Sequence, residues 1–337
     1  MIGIQTLAVP SVGLPSWLAS ASALGYTYRA NERYDVGGVA VRDAERVVHV
    51  YEPSAPLGVA FVAVHGGGLT TRNPADGMAS VGPWLALRGF HVFDVRYRLV
   101  TGDDAVVSRD CALDVAAAVA YALGRSDVDR VCLIAHSTGA RLSQTVAWVA
   151  HYLGAYGLAP SDLGLLVSID APTTWDEVPR LADGTTWDAQ PPRTTQAFTP
   201  SVQELHGDVR SSTPNDVGLP TLAGGSVYDR DRRLYGGRNA QGESVVAADG
   251  LGTHEHARDE PGAPPLIGTY TRNASDLRAD TAAELASVVA SHPRMTVDLY
   301  EGPVTTNHGQ MLTDLASDSP MRQWLEARID QRLSIVR

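Results

Sequence analysis

A chain of 337 residues is too long for a minimal domain and about right for one large α/β domain carrying an insertion. With 44% hydrophobic residues it can bury a core, and a formal net charge of -11 disfavours nucleic-acid backbones, which need a positive patch to displace counterions. Every permanently basic side chain is arginine, so any mechanism that needs a catalytic lysine is excluded.

Residues 1–35 have no strong periodicity, although Trp17, Leu18 and Leu24 suit a short helix packed over a pocket. This mildly apolar stretch lacks a basic leader region and is interrupted by Pro10 and Pro15, so it does not read as a secretory signal. Residues 38–42 and 46–51 read as a two-stranded hairpin. The continuous apolar run 58–64 (GVAFVAV) is expected to be a strand buried on both faces. Strands follow at 91–97, 131–135, 164–169, 265–270 and 295–300, with helices over 107–123, 139–153, 281–290 and from about Met311 to the end of the chain. Cys111 and Cys132 each sit in an apolar stretch and read as free buried thiols. No segment has the length of an apolar membrane span, and a soluble, cytoplasmic protein is expected.

Strand and helix in alternation imply an α/β fold with a mostly parallel sheet flanked by helices. The rhythm breaks between Asp170 and Pro264, in a stretch rich in Pro, Gly, Asp and Thr. A structureless loop of that length does not suit a compact domain, so an inserted cap or lid is expected. The domain reading is therefore a core of 36–170 and 264–337, with a cap of 171–263 that 1–35 could join.

Two motifs carry the chemistry. Ala135-His136-Ser137-Thr138-Gly139 follows the apolar strand VCLIA and precedes a helical segment, the context of a nucleophile elbow. Small neighbours suit the tight turn, and the following helix presents free N–H groups to a developing negative charge. The competing reading of Ser137 is a plain helix N-cap. His136 adjoins the nucleophile in sequence, with its side chain expected to point away. His65-Gly66-Gly67-Gly68 directly follows the strand GVAFVAV. Consecutive glycines let the backbone bend so that N–H groups approach a ligand closely, as an oxyanion hole requires. His65 itself reads as a structural residue that hydrogen-bonds the loop.

With both motifs present, the chain resembles the hormone-sensitive-lipase-like branch of the α/β-hydrolases, the HGGG carboxylesterases. The stretches FDVRYRLV (93–100) and DCALDVAAAVAYALGRSDVDRVCLIAHSTGA (110–140) look like that family's next strand and its helix, strand and elbow. The likeness covers about 58–170 and resumes from Pro264; it is poor in 1–35 and 171–263. It implies the α/β-hydrolase fold and an oxyanion hole made by the N–H groups of Gly67, Gly68 and Thr138. Two positions depart from the family: Ala135 stands for a usual Gly and Thr138 for a usual Ala, and neither change removes a needed atom.

An acyl-transfer serine needs a base, and His308 in Thr306-Asn307-His308-Gly309-Gln310 lies between the last strand and the last helix. Serine, acid, histidine is the chain order of this fold. The acid is expected after the strand PLIGTY; Asp276 is the choice and Asp280 the rival, the family's usual position falling nearer Asn273 or Ala274. Asp170, at the end of its strand, points towards the site in this fold and reads as a substrate contact or a turn cap. His254, Glu255 and His256 with Asp259 and Glu260 read as a solvated loop, because histidines at i and i+2 are poor metal geometry on a helix.

The function expected is a serine esterase that acts on a small-molecule carboxylic ester through an acyl-enzyme, with no metal and no organic cofactor. Two alternatives stay open: lactone or amide hydrolysis, or cyclase or lyase chemistry, on the same apparatus; and a non-catalytic binder of a small ligand. Oligomeric state is not readable from the sequence.

Overall fold

Short apolar runs rich in Val, Ile, Leu and aromatic residues build the sheet that organises this chain. The computed structural model describes residues 25–34, 46–67, 78–99, 108–148, 150–171, 262–270, 296–303, 306 and 308–336. Its strands are β1 (Tyr26–Arg33), β2 (Val47–Pro53), β3 (Val59–Val64), β4 (His91–Arg96), β5 (Arg130–His136), β6 (Leu163–Ile169), β7 (Leu266–Tyr270) and β8 (Val297–Glu301). The described helices are α1 (Met78–Leu87), α2 (Ser108–Leu123), α3 (Ser137–Trp148), α4 (Ala150–Gly154), α5 (His308–Ala316) and α6 (Pro320–Leu333).

The eight strands form one sheet in the order β1-β2-β4-β3-β5-β6-β7-β8. From β4 to β8 all neighbours are parallel, whereas β2 pairs antiparallel with both β1 and β4. The chain leaves β3 towards β4 on one side and later returns to place β5 on the other. In an open α/β sheet the crevice for a ligand lies at such a reversal, at the carboxyl ends of the strands.

Side chains alternate along each strand and so divide the core in two. Val62, Val64, Leu133 and Ala135 join α2, α3 and α4 on one face. Phe61, Ala63, Cys132 and Ile134 join α1, α5 and α6 on the other. Both faces of β3 and β5 are buried, which is why these strands read as unbroken apolar runs.

Several sequence expectations change. Among the described residues β2 pairs with β1 and β4, and residues 38–42, the hairpin partner expected for it, lie outside the described residues. β1 has a weak sequence signal because it is a half-exposed edge strand with an irregular register between Arg29 and Glu32. Helix α1 gives no clear signal in the sequence, since Gly82 and Pro83 inside it are breaker residues. The terminal helix is two helices: Ser319 accepts a hydrogen bond from the Arg322 N–H and Pro320 opens α6, the chemistry of a helix start. The segment 281–290 and the cap stretch 172–261 lie outside the described residues.

Both cysteines are buried and neither forms a disulfide, as the sequence suggested. Burial pushes the Cys132 thiol up to about 12 and the Cys111 thiol well above its ordinary value. Thiolate is the reactive form. Neither thiol should therefore react with Ellman's reagent at pH 8 in the folded protein, and both should react once guanidinium unfolds it.

Candidate active site

The parallel strands end at one edge of the sheet, and their carboxyl ends gather the residues of interest. β5 ends at His136, and Ser137 then takes a left-handed φ of 56° as the first residue of α3. A non-glycine residue in that region is strained, and the sharp strand-to-helix turn explains the strain. Thr138, in the first turn of α3, carries one of the N–H groups that a helix cannot satisfy internally.

The glycine loop after β3 lies directly against this turn. A Cβ on Gly66 would stand 2.8 Å from the Ser137 Cβ, and a Cβ on Gly139 would stand 2.2 Å from the His65 carbonyl oxygen. The two motifs are thus locked together through positions where only glycine fits. Gly67 has a φ of 112°, a left-handed value. Gly68 lies outside the described residues.

Gly139→Ala must move backbone rather than a flexible side chain. It should cost roughly 1–3 kcal/mol of stability, as overpacking does. Gly154→Ala, whose added Cβ meets nothing within 4 Å, is the matched control. Urea unfolding midpoints of the two variants check the difference.

The glycine loop is braced from β4. The Tyr97 hydroxyl donates to the His65 carbonyl at 3.0 Å, and the two rings stack with centroids 4.3 Å apart. His65 Nδ1 donates to the Gly66 carbonyl at 2.6 Å, the loop hydrogen bond expected of it. Next to Tyr97, Arg98 is tied to the fully buried Asp114 of α2 by three hydrogen bonds of 2.8–2.9 Å. A charge-assisted, bidentate pair of this kind fixes orientation as well as position. Arg46 adds a second guanidinium to the same carboxylate at 3.2 Å.

His308 opens α5, rather than lying in a loop ahead of the helix. Met311, Leu312 and Leu315 of α5 are buried against the sheet. His308 precedes them at the spacing of the same helical face. Its Nδ1 is 2.5 Å from Asp170 Oδ2. A carboxylate oxygen only accepts, so the imidazole donates from Nδ1, and in a neutral ring Nε2 is then the acceptor. Asp170 is fully buried at the end of β6, with a left-handed φ of 48° and its N–H donating to the Thr269 carbonyl at 2.7 Å. Register explains its place. His136 pairs with Ile169, and the next residue of each strand is Ser137 and Asp170.

The carboxylate held by His308 is therefore Asp170, a residue whose sequence position points to a substrate contact or a turn cap rather than to this partner. Asp276 and Asp280 lie outside the described residues. His136 does not point away from the site: its ring stacks on that of His308, with centroids 4.2 Å apart and planes 28° from parallel.

Among the described residues, one group has metal-like spacing: Glu52, His91 and Asp127, at the opposite end of the strands. Its carboxylates are already taken by arginine, Glu52 by Arg29 and Arg125 and Asp127 by Arg125. A dication placed there would face two guanidinium charges, so the group reads as an ion-pair network. The set-aside cluster at 254–260 lies outside the described residues, and among those described no helix is long and apolar enough to cross a membrane.

No protein-family profile matches the sequence, and comparison with curated proteins gives no match. Solved structures do match over nearly the whole chain. Esterase B from Lactobacillus rhamnosis has 15% identity and a TM-score of 0.59, covering 94% of this chain and 93% of that one. A hormone-sensitive lipase from a metagenome library has 16% identity and a TM-score of 0.53, covering 94% of each chain. A bacterial heroin esterase has 16% identity and a TM-score of 0.52, covering 95% of this chain and 91% of that one. The mostly parallel eight-stranded sheet flanked by helices, shared with these esterases and with hormone-sensitive lipase, is the α/β-hydrolase fold.

Proposed function

We propose that this protein is a serine hydrolase that cleaves a carboxylic ester through an acyl-enzyme, with Ser137 as nucleophile, His308 as general base and Asp170 as the acid that orients the base. The observation that carries the reading is the hydrogen bond between His308 Nδ1 and Asp170 Oδ2, formed beside a serine held in a left-handed turn at the end of β5. The esterases and the lipase that share the fold support ester hydrolysis as the reaction class.

In this reading His308 Nε2 takes the proton of the Ser137 hydroxyl as Oγ adds to the ester carbonyl. The N–H groups of Gly67 and Thr138, with Gly68 as the expected third, hold the oxygen that becomes negative. The imidazolium is stabilised by Asp170 and returns its proton to the leaving alcohol. Water, deprotonated by His308, then adds to the acyl group and releases the acid and Ser137. Asp170 takes the place for which the sequence suggested Asp276. Residues 171–263 are proposed as the cap that selects the acyl and alcohol groups.

The experiment is turnover of a short series of p-nitrophenyl esters by wild type and Ser137→Ala. Hydrolysis by the wild type that the variant lacks supports the reading; equal turnover by both contradicts it.

A further inference from the structure

Strand β5 divides its side chains between the two faces of the sheet. Cys132 and Ile134 face the core built with α1, α5 and α6. With a period of two, His136 falls on that same face. That is the face against which α5 packs through Met311, Leu312 and Leu315, and α5 begins at His308. Two imidazoles, 172 residues apart in the chain, thus meet ring on ring, and the lower one belongs to the residue immediately before Ser137.

The contact from His308 Nδ1 to Asp170 Oδ2 pins one atom of the ring. A flat surface against the ring's face constrains its plane as well, and the His136 ring supplies one with centroids 4.2 Å apart. A change of that plane would swing Nε2 away from the serine. His136 is itself held: it is buried in the sheet, and a Cβ on Gly66 would stand 3.1 Å from its Nδ1. The same ring therefore adjoins the glycine loop, the nucleophile and the base.

We propose that His136 is a positioning residue, a flat platform that sets the plane of His308 so that Nε2 faces Ser137. The proposal rests on the serine-hydrolase reading above, since it assigns His136 a task only if His308 is the base. What matters is a planar ring of about this size, not the polar atoms of imidazole. Phenylalanine should therefore replace it and alanine should not.

The test measures kcat and KM on p-nitrophenyl butyrate for wild type, His136→Ala, His136→Phe and Ser137→Ala. Misplacement of a catalytic group by about 1 Å can cost about 100-fold. We expect His136→Ala to lower kcat about 10- to 100-fold with KM changed less than about threefold, and His136→Phe to stay within about threefold of wild type in both. Wild-type kcat in a folded His136→Ala protein overturns the proposal, as does a folded His136→Phe protein as slow as the alanine variant. If His136→Ala does not fold, the phenylalanine variant decides alone. Loss of turnover in Ser137→Ala with full activity in His136→Ala rejects the platform and leaves the parent reading standing. Turnover unchanged in Ser137→Ala removes both.

Discussion

Asp170→Asn should lower kcat by about 10³- to 10⁴-fold while leaving the fold intact, because the amide changes which ring nitrogen of His308 carries the proton. In the proposed mechanism the carboxylate accepts from Nδ1 at 2.5 Å and leaves Nε2 able to take the serine proton. An asparagine amide that donates to Nδ1 drives the proton to Nε2, where the ring can no longer act as a base. Asp276→Asn and Asp280→Asn are the matched comparisons, and if Asp170 is the acid each should keep kcat within about threefold of wild type. The reverse pattern, with the loss at 276 or 280, would show that the base takes its acid from after β7 instead of β6. Turnover of p-nitrophenyl butyrate and melting curves of all three variants decide it.

Ser137→Ala should reduce turnover by about 10⁴-fold or more, with a residue of activity left to the oxyanion donors and substrate binding. Its effect on stability should be small, since alanine at a φ of 56° suffers the same backbone strain as serine. Ser137→Gly separates function from strain further. Glycine adopts the left-handed region freely, while other residues spend about 1 kcal/mol or more there. Ser137→Gly should thus be inactive and yet at least as stable as Ser137→Ala. A glycine variant clearly less stable than the alanine variant would mean that the turn is not strained.

Much of the sheet was legible because its central strands are buried on both faces. β3, β5 and β6 are short apolar runs, and a serine or a glycine loop at the end of such a run has few structural meanings. The edge was less legible: β1 alternates polar and aromatic residues, and α1 contains a glycine and a proline, so each looks like a loop in isolation. The partner of His308 could not be read from spacing. It depends on β5 and β6 ending in register, so that Ser137 and Asp170 emerge side by side, and on α5 bringing His308 to Asp170. The direction of His136 is different, because the signal was present. Cys132, Ile134 and His136 share one parity, and the helix that follows the final strand packs on that face.

The central claim is that Ser137 is an activated nucleophile, and covalent trapping tests it most directly. Wild type and Ser137→Ala are treated with a fluorophosphonate probe, and the modified residue is located by mass spectrometry. The account predicts one adduct, on Ser137, that is absent from the alanine variant. An adduct on another residue that persists in Ser137→Ala, or a wild type that turns over p-nitrophenyl butyrate without ever being labelled at Ser137, would contradict it.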